Sequence, residues 1–330
     1  MMIVGIKPHK RSLAQKFIKH AAPFMSAQDN DGLGYIAADG DSISGERWLK
    51  NADAFRDRKL YTPDQNKLVQ IFQHAISHTF VKYNKFGEGS MDSATSILLH
   101  TRMATCSKSM ENTHPFVKGD TALIHNGVIS NSDEVMRKYK RISTCDSEAI
   151  LQEYLNKGVN LDPNNVQKMA DELDGWYAVG IVSKDATGRQ IVDVFKCGDS
   201  SLYVAFVPAL ETFVFCTQIG ILKSTARKCG LAVTAYDTVE HGVLMRFDAV
   251  TGERISLTDF VPEPKPKVTS ITAASGMFKR RYDDRLAKDI KIAAGDDFVN
   301  PYDDDLDKRY MKDEEEYEEY QDFRRNRSRY

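Results

Sequence analysis

One stretch constrains the chain more than any other: residues His100 to Gly127, HTRMATCSKSMENTHPFVKGDTALIHNG, in which two apolar runs each close on a histidine and clustered polar side chains follow. Ile97 to Leu99 and Ala122 to Ile124 read as the last turns of buried strands. His100 to Thr105 and His125 to Gly127 then fall where strand ends open onto a pocket. Arg102 supplies a rigid five-donor fork suited to a carboxylate, and Thr101 and Thr105 add hydroxyls. Asn126 and the flexible Gly127 can aim a side-chain amide and a backbone N–H at a developing oxyanion. A polar strand-end cluster without chemistry is the plain alternative.

The blocks HTRMAT, THP and HNGVISN resemble the signature blocks of the class II glutamine amidotransferases, N-terminal-nucleophile amidohydrolases that release ammonia from glutamine. The resemblance implies that Arg102 holds the glutamine carboxylate, that Thr105 lines the same site, and that Asn126 and Gly127 form the oxyanion hole. It also implies that Asp146, in the block Cys145-Asp146-Ser147-Glu148, pairs with the substrate's α-amine. By itself, a carboxylate at that place is an ordinary helix cap. Asp174-Gly175-Trp176-Tyr177-Ala178 extends the resemblance, which covers roughly residues 1 to 260. The implied fold is α+β, a four-layer αββα sandwich of the N-terminal-nucleophile hydrolase type.

The chain departs from that family at its first residues. Family members begin with a nucleophilic cysteine and a glycine ahead of an apolar strand, and the cysteine's own α-amine serves as base. The matching residues here are Met1 and Met2, ahead of Ile3-Val4-Gly5. A thioether cannot be deprotonated and cannot form a thioester, and the nearest hydroxyl, Ser12, follows the end of the first strand. Cys106 is the one cysteine inside the signature region and the substitute nucleophile that the sequence offers. No catalytic nucleophile is assigned.

Elsewhere the composition narrows the field. A formal net charge of -2 gives no global attraction to nucleic acid or an anionic membrane. Five irregularly spaced cysteines, Cys106, Cys145, Cys197, Cys216 and Cys229, read as structural thiols of a reducing compartment. No run has the length of a membrane span, and the start MMIVGIKPHKR has no secretory pattern. The expectation is a cytoplasmic protein, free or associated with a viral or other macromolecular assembly. Asp29, Asp31, Asp39 and Asp41 lack the spacing of a calcium loop, and His74 and His78, one helical turn apart, lack a third ligand, so no metal is expected. Neither a dinucleotide fingerprint nor a phosphate loop is present, and no cofactor is expected.

Helices are expected over Ser12 to Met25 with Pro23 marking its end, and over Asp64 to Phe80, Glu134 to Tyr139, Ala149 to Leu155, Val166 to Leu173 and Ile219 to Lys228. Strands are expected at Ile3 to Ile6, Leu33 to Ala38, Ile191 to Phe195, Leu202 to Val207, Phe213 to Cys216, Val233 to Tyr236 and Val243 to Phe247. Residues 1–260 form the amidotransferase-like domain and 261–268 a Pro/Lys linker. Residues 269–330 form a charged, aromatic-containing tail that reads as a disordered solubilising segment or as a docking segment for a protein partner, with nucleic-acid contact a weaker reading. The tail is too short for the synthetase or sugar-isomerase domains that normally consume the ammonia. Three functions stay open: a glutamine-binding or protein-interaction module without normal glutaminase activity, an active amidotransferase hydrolysing L-glutamine for a separate acceptor enzyme, and a purely structural assembly protein.

Overall fold

The structure, a computed structural model, describes residues 1–28, 31–49, 82–83, 89–90, 94–103, 107 and 109–261. The expectations for Asp64 to Phe80, His74, His78, Asp29, Thr105, Cys106 and the tail lie outside the described residues.

Two antiparallel sheets stack face to face. The first contains β1 (Met2–Ile3), β2 (Gly32–Ala38), β3 (Ile43–Leu49), β6 (Ser96–Arg102), β11 (Tyr203–Val207), β12 (Thr212–Cys216) and β13 (Ala235–Thr238). Its order is β13-β11-β12-β1-β6-β2-β3. The second contains β7 (Phe116–Lys118), β8 (Thr121–Ile129), β9 (Gly175–Lys184), β10 (Gln190–Cys197), β14 (Val243–Asp248) and β15 (Arg254–Asp259), in the order β15-β14-β10-β9-β8-β7. A separate two-stranded pair joins β4 (Lys82–Tyr83) to β5 (Gly89–Ser90).

Three apolar cores follow from side-chain alternation on these strands. Ile97, Leu99, Val214 and Ile3 face outward from the first sheet, onto α1 (Arg11–Gln28) and α5 (Ile219–Cys229), which pack on each other. Leu98, Phe215, Met2 and Val4 face inward and meet Ile124, Ala178, Val182 and Val194 of the second sheet. Beyond the second sheet, Tyr177, Val179, Ile181 and Phe195 pack on α3 (Ser147–Asn156) and α4 (Val166–Ala170), with α2 (Ser132–Met136) beside them. The layer order is αββα, as expected.

Several boundaries differ from the sequence reading. Helix α1 continues through Pro23 to Gln28; Phe24 and Met25 are buried against the first sheet, and this packing offsets the roughly 3 kcal/mol that an interior proline costs. His100, Thr101 and Arg102 lie inside β6, and His125, Asn126 and Gly127 lie inside β8, because both strands keep their ladders beyond the apolar runs. Edge strands β3 and β15 carry mostly half-exposed or exposed side chains. Their mixed composition hides them from a search for apolar runs.

The outer layer is clamped by a buried ion pair. Arg246 on β14 donates from Nε and an Nη to the two oxygens of Asp193 on β10, at 2.8 and 2.7 Å. Its remaining donors reach the carbonyls of Val159 and Asn160, and Tyr154 of α3 donates to Asp193 at 2.6 Å. The paired side chains are 4 % and 0 % exposed. Arg246→Met would leave the carboxylate uncompensated, and urea unfolding should show a loss of roughly 3–5 kcal/mol.

Candidate functional site

The head of β1 lies between two neighbours. Met2 is opposite Phe215 of β12 and Leu98 of β6, and Met1 extends the ladder: its amine donates to the Leu99 carbonyl at 2.8 Å, and Leu99 N–H returns a bond to the Met1 carbonyl at 2.7 Å. A small cavity opens at this strand end. Its walls include Met1, Met2, His100, Thr101, His125, Asn126, Gly180 and Cys216. The methionines point to opposite sides, Met1 into the core under the helices and Met2 into the core between the sheets. Met2 fills the space above Gly180, where an added Cβ would overlap the Met2 sulfur.

The expected site residues divide into groups. Asn126 is exposed and lines the cavity. Gly127 follows it at φ 145°, and any side chain there would overlap the Trp176 carbonyl oxygen, so glycine is required. Arg102 is 3 % exposed at the end of β6 and donates to the Ser107 carbonyl at 3.0 Å. Asp146 precedes α3 without capping it; its Oδ2 accepts the Ile129 N–H at 2.7 Å, which ties the start of α3 to the end of β8. Thus Asn126 shares the cavity with Met1, whereas Arg102, Gly127 and Asp146 are not among its lining residues. Thr105 and Cys106 are outside the described residues.

Sequence reasoning did not single out the buried histidines as a unit. His100 bridges the sheets by donating Nε2–H to the His125 carbonyl at 2.9 Å. His114, from the THP block, stacks on His100 with ring centroids 3.9 Å apart. Ser147 Oγ lies 2.9 Å from both His114 Nε2 and His125 Nδ1. Burial lowers the pKa of all three rings, His100 to about 3 and His114 well below 6.5; Asp146 partly opposes the shift at His125. Their spacing in the sequence gave no sign that three rings from separate segments would meet.

Cys216 was also missed. Antiparallel pairing of β12 with β1 brings it beside Met1, more than two hundred residues away in the chain, and it lines the cavity. Burial pushes its thiol pKa up, with the Met1 amine and the Thr217 and Gln218 N–H groups acting in the opposite direction. Cys145, Cys197 and Cys229 are also buried thiols outside any disulfide. Among the described residues no group of three or more His, Cys, Asp or Glu side chains is placed to hold a metal ion, and no helix is long and apolar enough to cross a membrane. The Asp39 carboxylate accepts from Asp41 N–H and from the N–H and hydroxyl of Ser42, which is turn chemistry.

Residues 100–224, which take in the end of β6, all of β8 and α3, match the family described as glutamine amidotransferase domain. The chain carries a class II glutamine amidotransferase domain. Glutamine–fructose-6-phosphate aminotransferase (isomerizing) of Vibrio parahaemolyticus is 31 % identical over 166 residues, covering 48 % of this chain and 26 % of that relative. Its counterpart in Acinetobacter baylyi is 30 % identical over 139 residues, covering 39 % and 22 %. The chain therefore spans about a quarter of the length of these curated relatives. The glutamine phosphoribosylpyrophosphate amidotransferase of B. subtilis shares the fold at a TM-score of 0.54 and 16 % identity, over 77 % of this chain and 48 % of that one.

The histidine cluster makes the stability of the amidotransferase domain depend on pH. The unfolded chain takes up protons near pH 6.5 at each ring, while folded His100 and His114 stay neutral well below that and the His125 pKa is lowered in the same direction. The unfolded state then binds more protons, so stability falls as pH drops below about 6.5, by up to ~1.4 kcal/mol per pH unit for each ring. Urea midpoints should fall between about pH 7.5 and pH 5, and His100→Asn should flatten the slope by about one proton. A midpoint indifferent to pH would contradict this account.

Proposed function

We propose that residues 1 to about 260 form a glutamine-binding module of the amidotransferase type that does not carry out the family's usual glutaminase reaction. Residues 261–268 would act as a linker, and residues 269–330 as a tail that docks a protein partner in the cytoplasm. The observation that carries this reading is the pair of thioethers at the head of β1, where the family places cysteine and glycine. Met1 lies in the ladder opposite Cys216, and Met2 occupies the space over Gly180 beside Asn126. Without a side-chain thiol or hydroxyl at that position, the first step, attack on the carboxamide carbon, lacks the family's nucleophile.

The binding half of the reading rests on residues that remain. Arg102 would take the ligand's α-carboxylate with Thr105 beside it, Asp146 the α-amine, and Asn126 with Gly127 the amide oxygen. Opposite charges on Arg102 and Asp146 suit the zwitterion of a free amino acid. The closure of the second sheet at Asp259 and the Pro/Lys run from Pro262 support the boundary near residue 260.

An active glutamine hydrolase that supplies ammonia to a separate enzyme would need another nucleophile. Cys216 reaches the cavity, but its raised pKa keeps it a thiol, the poorly nucleophilic form. Purified chain incubated with glutamine should release no glutamate or ammonia above the buffer rate, and calorimetry with glutamine should give saturable heat. Replacing Met1-Met2 by Met-Cys-Gly, so that removal of the initiator leaves cysteine ahead of Ile3, should confer turnover. Hydrolysis by the native chain that disappears in Asn126→Ala would overturn the inactive reading, and absence of any heat would overturn the binding one.

A further inference from the structure

The two helices outside the first sheet carry charge of one sign only. α1 holds Arg11, Lys16, Lys19 and His20, α5 holds Lys223, Arg227 and Lys228, and neither helix contains an Asp or a Glu. Arg11 is buried, Lys16, Arg227 and Lys228 are exposed, and the other three are half-buried. Ala14, Phe17, Ile18 and Ala21 face the core under α1, which leaves Lys16, Lys19 and His20, at i, i+3 and i+4, on the side away from it. The bases of the two helices also converge. Burial lowers the His20 pKa, and the charges of Lys16 on its own helix and Lys228 on the neighbouring one lower it further. Cations in the last turn of α5 suit its dipole, but Lys16, Lys19 and His20 stand in the middle of α1, with no acid four residues away on either side.

Among the described residues no carboxylate pairs with Lys16, His20 or Arg227. The paired acids of the domain serve other cations: Glu211 is shared by Lys7, His9 and Lys10, Glu172 by Lys138 and Lys157, and Asp193 is taken by Arg246. Residues 50–93 hold seven Lys and Arg against five Asp and Glu, so they do not offset the positive face. The acidic counterpart in this chain lies after the second sheet: residues 313–322, DEEEYEEYQD, contain seven acids and no base. Roughly fifty residues separate this segment from Val261 and can reach ~170 Å when extended. That is several times the ~30 Å between the outer layers of a four-layer sandwich with ~10 Å spacings.

We propose that the outer face of α1 and α5 is the docking surface for residues 313–322 of the same chain, with Lys16, His20 and Arg227 among the groups that receive the acids. The inference goes beyond the glutamine-binding reading and does not depend on it. Met25 of α1 and Ile221 of α5 line the cavity, so the docked segment lies over the helices that close one wall of the site. Docking through many exposed charges weakens with salt, because the Debye length shrinks from ~10 Å at 0.1 M to ~3 Å at 1 M.

The test is carbodiimide coupling of the full chain, which joins carboxylates to lysines in contact, at a dilution that keeps it monomeric, followed by peptide mass spectrometry. Acids of 313–322 should link to Lys16, Lys19, Lys223 or Lys228 within one chain, and salt at ~1 M should suppress the links. Lys16→Glu with Arg227→Glu should lower links to the remaining helix lysines roughly fivefold or more, as the loss of several exposed ion pairs implies. Adding Glu315→Lys with Glu318→Lys should restore them. In a second measurement, Glu314→Gln, Glu315→Gln and Glu316→Gln together should raise the acetylation rate of Lys16 severalfold. That variant leaves the helices untouched, so it decides even where the helix variant does not fold. Links made equally to the exposed Lys138 and Lys140 of the opposite layer, links found only between two copies, or an unchanged Lys16 rate in the Gln variant overturn the proposal. So does a single-stranded RNA that binds the native chain at ~0.15 M salt and is lost in Lys16→Glu with Arg227→Glu while no tail links form.

Discussion

Everything at this site depends on a strand of two residues being held from both sides. β1 hydrogen-bonds to β12 and β6, and the Met1 amine and carbonyl complete the ladder with Leu99. Because alternate side chains leave a strand on opposite faces, this short segment supplies one methionine to the core under the helices and the next to the core between the sheets. The cavity forms where these cores meet, so the residues at the head of β1 are both packing groups and walls of the site. Replacing them changes chemistry and packing together.

The sequence was informative wherever burial left a continuous apolar run. Ile97 to Leu99, Ala122 to Ile124 and Ile191 to Phe195 belong to strands flanked on both sides in their sheets, and their positions could be read directly. β3, with Ser44, Glu46 and Arg47 among its seven residues, was not readable, because it runs at the sheet edge with nearly all its side chains half-exposed or exposed and so carries no apolar run. Pro23 misled for a different reason: local propensity marks a helix end, but the contacts of Phe24 and Met25 outweigh it.

The candidate site was half legible. Arg102, Asn126, Gly127 and Asp146 carry the motif, yet only Asn126 lines the cavity. Cys216 and Ser147 had no local signal, since register between distant strands and the packing of α3 against β8 bring them in. The His114 ring also needs tertiary context: its segment lies across β2 at Gly34, where an added side chain would overlap the His114 carbonyl, and Arg47 donates to the carbonyls of Thr113 and Pro115 on either side. Motif residues can be recognised one by one, but their mutual contacts belong to the assembled cluster.

His100 illustrates a wider consequence. Its ring joins β6 of one sheet to β8 of the other through the His125 carbonyl, and Asp146 joins α3 to β8 through Ile129. These side chains serve as struts whether or not a substrate ever enters. A chain that stops doing chemistry does not thereby become free to lose them, because each loss would cost folding stability. Motif blocks of this kind can therefore outlive the reaction they once served, and their persistence records the mechanical needs of the sandwich as much as its catalytic history.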